Sequence, residues 1–304
     1  MTPTAAPERA RLDRYHPVWR QVGARIVRHV DYGAGHRWLD LEMPAGFVRP
    51  AAGQFVQLLH EPPSPVLLPR PMSVAGVVTR RGRHTVGFLY APVGAGTRAL
   101  AALEPGDRVD VLGPLGRGYP LDESGTVVLV AGGRGVAPLL FAADELAARG
   151  RRPEFVFGAR TRTLLIGVDE TRARLERIGG RLHVATDDGS RGTRGTVLDV
   201  LARLTPRLSG PLVVHACGPH GMLKAVARWA LDGGHAAHLA MESVMACGTG
   251  VCRGCPLPRS AAATARFTRE RATAPSLYGN AQYAMCCTEG PVFAAPDLDW
   301  SRIT

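Results

Sequence analysis

At 304 residues the chain has room for two domains and a small third, and it is too long for a fold that rests on disulfides alone. Hydrophobic residues at 45% and charged residues at 21% exclude a chain disordered throughout, and no apolar run reaches the roughly 18 residues of a membrane helix. Lys and Arg number 37 against 26 Asp and Glu, a net charge of +11 carried almost wholly by Arg. That charge is dispersed, with no run of five basic residues and no basic stripe interleaved with aromatics. It therefore argues for anionic cofactors or an acidic partner rather than nucleic acid.

Residues 1–15 read as a flexible tail rich in Pro, Ala and Arg. They carry charge throughout and lack the apolar stretch of a signal peptide, so the expected location is the cytoplasm. Over 16–120, short segments such as QVGARIVRHVDYG, QFVQLLHE and HTVGFLYAP alternate with turn residues, the spacing of an antiparallel sandwich or barrel. GTRALAALEPGD interrupts them as a short helix. Over 121–235 continuous apolar runs (TVVLVAGG, PEFVFGAR, RLHVATDDG, PLVVHACGP) alternate with amphipathic helical patterns, which predicts βαβ units on a parallel sheet. Residues 236–304 hold five of the six cysteines and an Arg-rich stretch, RSAAATARFTRERATA. Cysteines clustered late in a cytosolic chain point to metal or redox chemistry.

Four motifs carry candidate chemistry. Gly132, Gly133 and Gly135, followed by Val136, Ala137 and Pro138, join the first parallel strand to a helix. Glycines allow close approach to a pyrophosphate, and free N–H groups at a helix start favour an anion. The pattern departs from G-x-G-x-x-G, and a plain β-to-α turn is the alternative. Cys217, Gly218 and Pro219 end the fourth parallel strand, where open α/β sheets bind ligands. Cys217 is the candidate catalytic contact beside a nicotinamide, with simple packing as the alternative. Arg70, Pro71, Met72 and Ser73 place a guanidinium fork suited to phosphate inside the barrel. As its companion, Gly94, Gly96 and Thr97 form a second Gly turn opening a helix. Finally, Cys247, Cys252 and Cys255 follow C-x4-C-x2-C, with Cys286 and Cys287 after a long gap, the spacing of plant-type [2Fe–2S] centres. A Zn(Cys)4 site is the alternative, but it normally uses two short knuckles. Spacing alone does not choose between Cys286 and Cys287.

The order RPMS, GAGT, GPLG, AGGRGVAPLL, FGAR, TDDGS, ACGP, MACGTGVCRGC, CTEGPVF resembles the electron-transfer subunits of dihydroorotate dehydrogenase B, members of the ferredoxin–NADP reductase superfamily. The match runs over about residues 18–300. The resemblance implies an FAD-binding β-barrel, an NAD-binding α/β domain and a small C-terminal [2Fe–2S] domain. It implies that Arg70, Pro71 and Ser73 touch FAD, with Gly94, Gly96 and Thr97 near its phosphates. It assigns the cluster to Cys247, Cys252, Cys255 and Cys287, the last through C-x-[DE]-G-P-V-F. It further implies a dihydroorotate-oxidising, FMN-containing partner subunit, a heterotetramer, and a flavin converting single electrons to hydride. Siblings of the same layout serve sulfide dehydrogenase-like or NADH-dependent ferredoxin–NADP reductase complexes; there an Asp is expected near the first ligand position, where this chain has Cys247. One departure from the family pattern lies between the third and fourth cluster cysteines. The segment between Cys255 and Cys287 is long and Arg-rich, and Arg253 and Arg259 are expected to raise the cluster potential if close. Arg160 and Arg162 follow the second parallel strand and are candidates for a 2′-phosphate or for plain solvated surface.

Overall fold

The structure, a computed structural model, describes residues 19–60, 66–273 and 280–303; the expected N-terminal tail lies outside them. Six antiparallel strands come first: β1 (Arg20–Gly33), β2 (His36–Glu42), β3 (Phe55–His60), β4 (Arg70–Arg80), β5 (Arg83–Tyr90) and β6 (Arg108–Leu115). They close into a barrel in the order β1-β2-β5-β4-β3-β6. Alternation drives this closure. Ala24 and Ile26, Leu39 and Leu41, Val86 and Phe88, and Val109 and Val111 occupy alternate positions and are all buried. Helix α1 (Ala95–Ala101) interrupts the strands where the sequence predicts it. Its start is fixed by the Gly94 N–H donating to Thr97 Oγ1 at 2.9 Å.

A parallel sheet follows. Strands β7 (Thr126–Gly132), β8 (Glu154–Ala159), β9 (Arg181–Thr186), β10 (Thr193–Arg194), β11 (Leu212–Cys217) and β12 (Ala236–Ala240) alternate with α2 (Val136–Ala148), α3 (Val168–Arg177), α4 (Val197–Leu204) and α5 (His220–Asp232). The strands read as uninterrupted apolar runs because helices cover both faces. Helix α4 shows the complementary pattern: Val197, Val200, Leu201 and Leu204 are buried on one face. Thr196 and Asp199 cap its first turn, with Thr196 N–H donating to Asp199 Oδ2 at 2.7 Å. The sheet order is β10-β9-β8-β7-β11-β12-β15, where β15 is Val292–Ala294. Strand order reverses between β7 and β11, so their carboxyl ends open a crevice there.

The structure refines the expected division at residue 236. Strand β12 lies parallel to β11, and β15 pairs antiparallel with β12, so both belong to the large sheet. The cysteine segment between them carries β13 (Pro256–Pro258), α6 (Ala261–Thr273), β14 (Tyr283–Met285) and the four-residue α7 (Cys286–Glu289). The barrel and the sheet share one apolar cluster running from Val74 and Phe88 to Leu139 and Phe141 of α2, which holds the two units in fixed register.

Candidate functional site

A cleft of about 580 Å³ lies between the barrel and the carboxyl edge of the sheet. It gathers most residues singled out in the sequence. Pro71, Met72 and Ser73 come from β4, and Thr97 from α1. Gly132, Gly133, Gly135, Ala137 and Pro138 come from the β7–α2 junction, and Cys217, Gly218 and Pro219 from the end of β11. Arg70, Gly94, Gly96 and Val136 are not among its lining residues. Val136 is core, 1% exposed. Arg70 packs on Gly96, where a Cβ would lie 3.1 Å from Arg70 Cδ, and its Nε donates to the Pro69 carbonyl at 2.8 Å.

The glycines meet specific spatial demands. A Cβ at Gly135 would sit 2.0 Å from the Cys217 carbonyl oxygen, so only glycine lets the start of α2 cross the end of β11. Gly133 has φ +52° and nothing within 4 Å of a would-be Cβ. Its position is therefore an opening in the wall, bordered by Arg134 and by the first turn of a 13-residue helix.

Cys217 is half-buried at this edge, and burial, aided by the nearby Glu242 carboxylate, pushes its thiol up to about 12. At neutral pH it is an uncharged contact surface, not a thiolate or a base. Sequence reasoning missed Glu242, Ser243 and Met245, which also line the cleft just after β12. It also missed Tyr90, another lining residue. The hydroxyl of Tyr90 lies 2.8 Å from His29 Nε2, while His29 Nδ1 lies 2.7 Å from the Leu103 carbonyl. A carbonyl only accepts, so Nδ1 carries the proton and Tyr90 donates to Nε2. No periodicity signals such a pair, because each residue alone reads as barrel core.

The thiols assemble as two pairs beyond the cleft. Cys247 Sγ and Cys252 Sγ are 3.3 Å apart. Cys255 and Cys287 form the second pair, the Cys287 N–H donating to Cys255 Sγ at 3.4 Å. Backbone N–H groups of Thr249 and Cys252 donate to Cys247 Sγ, and that of Gly254 to Cys252 Sγ, each at 3.4 Å. Gly248 and Gly250 adopt positive φ, which turns the loop so that these amides face sulfur. Burial raises the Cys247 thiol, but the amides of Cys252 and Thr249 outweigh it and bring it to about 6. The Cys287 hydrogen bond brings Cys255 to about 7. Cys286 is fully buried, its Sγ turned to the Met241 carbonyl at 3.5 Å, and burial pushes its thiol up. Among the described residues, no three His, Cys, Asp or Glu side chains converge as for a single ion.

Arg259 has a carboxylate partner close by. It forms a buried ion pair with Glu289, both side chains 9% exposed, and its guanidinium lies 4.5 Å from the Phe267 ring centroid. Glu289 also accepts from the Met285 N–H at 2.8 Å, so the Glu of CTEGPVF is an anchor for the thiol segment. Arg160 and Arg162 are exposed beside the Asp187–Ser190 turn, where Arg162 N–H donates to Ser190 Oγ at 2.8 Å.

Comparison with known proteins agrees with this arrangement. Residues 129–228 match the oxidoreductase NAD-binding domain family. The dihydroorotate dehydrogenase B (NAD(+)) electron transfer subunit of Bacillus caldolyticus is 36% identical over 249 residues, covering 81% of this chain and 86% of that protein. The subunit of the same name from Fusobacterium nucleatum is 32% identical over 253 residues, with 81% and 86% covered. Among solved structures, an NADH-dependent reduced ferredoxin–NADP oxidoreductase superposes with a TM-score of 0.73 at 28% identity, over 92% of this chain and 91% of that one. The flavohemoglobin-like FAD/NAD-binding domain of a Vibrio cholerae nitric oxide dioxygenase shares the fold, with a TM-score of 0.60 at 17% identity over 70% and 93%. With relatives above 30% identity across four-fifths of its length, the chain belongs to the family of dihydroorotate dehydrogenase B electron-transfer subunits, within the ferredoxin–NADP reductase superfamily.

Proposed function

We propose that this chain is a cytoplasmic electron-transfer subunit that binds FAD and NAD in the cleft and a [2Fe–2S] cluster on Cys247, Cys252, Cys255 and Cys287. In this role it serves a dihydroorotate-oxidising partner subunit that itself carries FMN, and the two assemble as a heterotetramer. The observation that carries the reading is the convergence of the β4, α1, β7–α2 and β11 motifs on one cleft, with two thiol pairs close behind it. Met245 lines the cleft two residues before Cys247, and Pro291 lines it four residues after Cys287. The thiol segment is thus clamped between two stretches of cleft wall.

The donor set fits the group. A bridged iron pair takes two thiolates on each iron, and the thiols stand in two pairs rather than converging on one point as a lone zinc requires. The N–H···S contacts compensate the negative charge such a set would carry. Bound flavin and cluster together supply the exchange between hydride and single electrons. The chain's own work is to bind and orient. Pro71, Met72 and Ser73 offer one wall for the flavin, with Arg70 before them holding the strand's entry. The Gly133 opening, Arg134 and the start of α2 offer an anion cradle for a dinucleotide pyrophosphate. Neutral Cys217 would give a nicotinamide an uncharged contact.

Anaerobic purification tests this directly, with an expected yield of about two iron and two sulfide per chain, together with FAD. Mixing with the dihydroorotate-oxidising subunit should then give NADH from dihydroorotate and NAD⁺. A colourless chain with stoichiometric zinc would overturn the cluster assignment. A second reading, service to a ferredoxin-linked complex, is favoured by the structural match over 92% of the chain. Cys247 at the first ligand position, where those siblings are expected to carry Asp, weighs against it. The two part on whether the co-purified partner forms orotate or reduces ferredoxin.

A further inference from the structure

Gln57 belongs to the barrel yet touches the thiol loop. On β3 it pairs with Pro71 of the cleft strand on one side and with Leu112 of β6 on the other. Its side chain is 0% exposed. Nε2 donates to the Ala246 carbonyl at 3.4 Å, and Oε1 has no hydrogen-bond partner among the described residues. A buried amide with one unsatisfied end is costly where Leu or Met would pack at no such cost, so a barrel strand gains nothing by it.

The loop is laid directly on this amide. Gly248 has φ +74°, and a Cβ there would lie 2.8 Å from Gln57 Cγ and 2.9 Å from Gln57 Nε2. The residues touched, Ala246 and Gly248, flank Cys247 on both sides. We infer that Gln57 is a positioning residue for the iron–sulfur loop: its amide seats the backbone on either side of Cys247 and ties that loop to the strand beside the flavin wall. The inference rests on the reading of Cys247 as a cluster ligand. Groups that hold a ligand's backbone set the direction of its sulfur and the dipoles around it, and these tune cluster potentials.

The test uses the full chain, purified anaerobically with its bound groups, as wild type, Gln57→Leu and Gln57→Glu. Leu keeps the bulk and removes the amide; Glu keeps the shape and removes the donor. Both variants are expected to keep FAD; Gln57→Leu should keep the wild-type melting temperature, whereas Gln57→Glu, a carboxyl buried against the Ala246 carbonyl, should melt lower. The electron paramagnetic resonance spectrum of the reduced cluster should change, and its midpoint potential should shift, more negatively for Gln57→Glu. Loss of iron at unchanged flavin content would equally support the role. Spectra and potentials identical to wild type in the folded variants would overturn it; should Gln57→Glu fail to fold, Gln57→Leu decides. A wild-type chain without iron and sulfide would instead sink the cluster reading itself, before any variant is compared.

Discussion

Gly135→Ala is the sharpest perturbation of the cleft. The added Cβ would sit 2.0 Å from the Cys217 oxygen, 2.3 Å from its carbonyl carbon and 2.7 Å from the Gly218 nitrogen. Ordinary contact begins near 3.4 Å, and every colliding atom is backbone at the end of a central strand, so no side chain can swing aside. The first turn of α2 must retreat by more than an ångström, which opens the β7–β11 crevice. Overpacking of this kind costs about 1–3 kcal/mol, and a collision with strand backbone belongs at the top of that range. At roughly 2–4 °C per kcal/mol for a unit of this size, the melting temperature should fall by about 6–12 °C. NADH affinity, read by fluorescence titration, should collapse with it. Gly133→Ala is the control: its Cβ meets nothing within 4 Å, but φ +52° strains any L side chain by about 1–2 kcal/mol. It should therefore melt closer to wild type while still weakening NADH, because Gly133 lines the cleft. A Gly135→Ala protein with wild-type melting and wild-type NADH affinity would refute the assignment of this junction as the dinucleotide cradle.

Three further outcomes follow from the thiol segment and the sheet. Serine at Cys255 or Cys287 should lower iron content per chain, whereas Cys286→Ser should leave it within error, since that thiol faces the Met241 carbonyl; elemental analysis decides, and the reverse pattern would reassign the fourth ligand. Glu289→Gln strands the buried Arg259 guanidinium, and breaking such a pair costs about 3–5 kcal/mol, measurable as a drop in denaturation midpoint; no loss would mean that the pair does not anchor the segment. His215 is buried between the rings of Tyr119 and His238, at centroid distances of 5.0 and 5.5 Å. Burial, with His238 and Arg151 adding to it, pushes its pKa down to about 3. The unfolded imidazole, near 6.5, takes its proton first, so this group's contribution is whole above pH 6.5 and erodes as pH falls toward 3, by at most about 1.4 kcal/mol per pH unit. His215→Phe should flatten that acid limb in melting-temperature scans, and equal acid sensitivity in both proteins would exclude the group as its source.

The elements legible in the sequence are those whose signal is local. Six alternating segments became six barrel strands, and continuous runs such as Thr126–Gly132 became buried parallel strands, because each pattern reports which of its own faces meets solvent. The spacing Cys247-Cys252-Cys255 is local too, and one loop delivers it. What escaped depends on partners far along the chain. β12 and β15 are five and three residues of Ala, Val, Phe, His and Leu, too short to announce that they extend the sheet. Arg259 reads as a charge near the thiols until Glu289, thirty residues on, is folded against it. His29 and Tyr90, 61 residues apart, form a wall element only through barrel closure. Gln57 looks like one more strand residue until the thiol loop lands on it.

The Arg-rich excursion between Cys255 and Cys287 is closed at its base by its own contacts. The chain leaves Cys255 along β13 and returns along β14, and the two pair directly, Pro256 with Met285, Leu257 with Ala284 and Pro258 with Tyr283. At the neck, the Cys286 N–H donates to the Cys255 carbonyl at 2.9 Å. The Arg259–Glu289 pair closes the next layer, and the Ser260 N–H donates to the Asp297 carbonyl at 3.0 Å. Helix α6 then hangs outward from this neck, sealed to it by Ala263 and Phe267, which are 1% and 4% exposed. Once a neck is fixed by its own ladder and ion pair, lengthening the loop beyond it costs little, since closure entropy grows only with the logarithm of length. The distance between Cys255 and Cys287 is therefore set by the strand pair at the neck, not by the number of residues between them. The same two thiols can be presented together whether the excursion is short or, as here, carries a helix of its own.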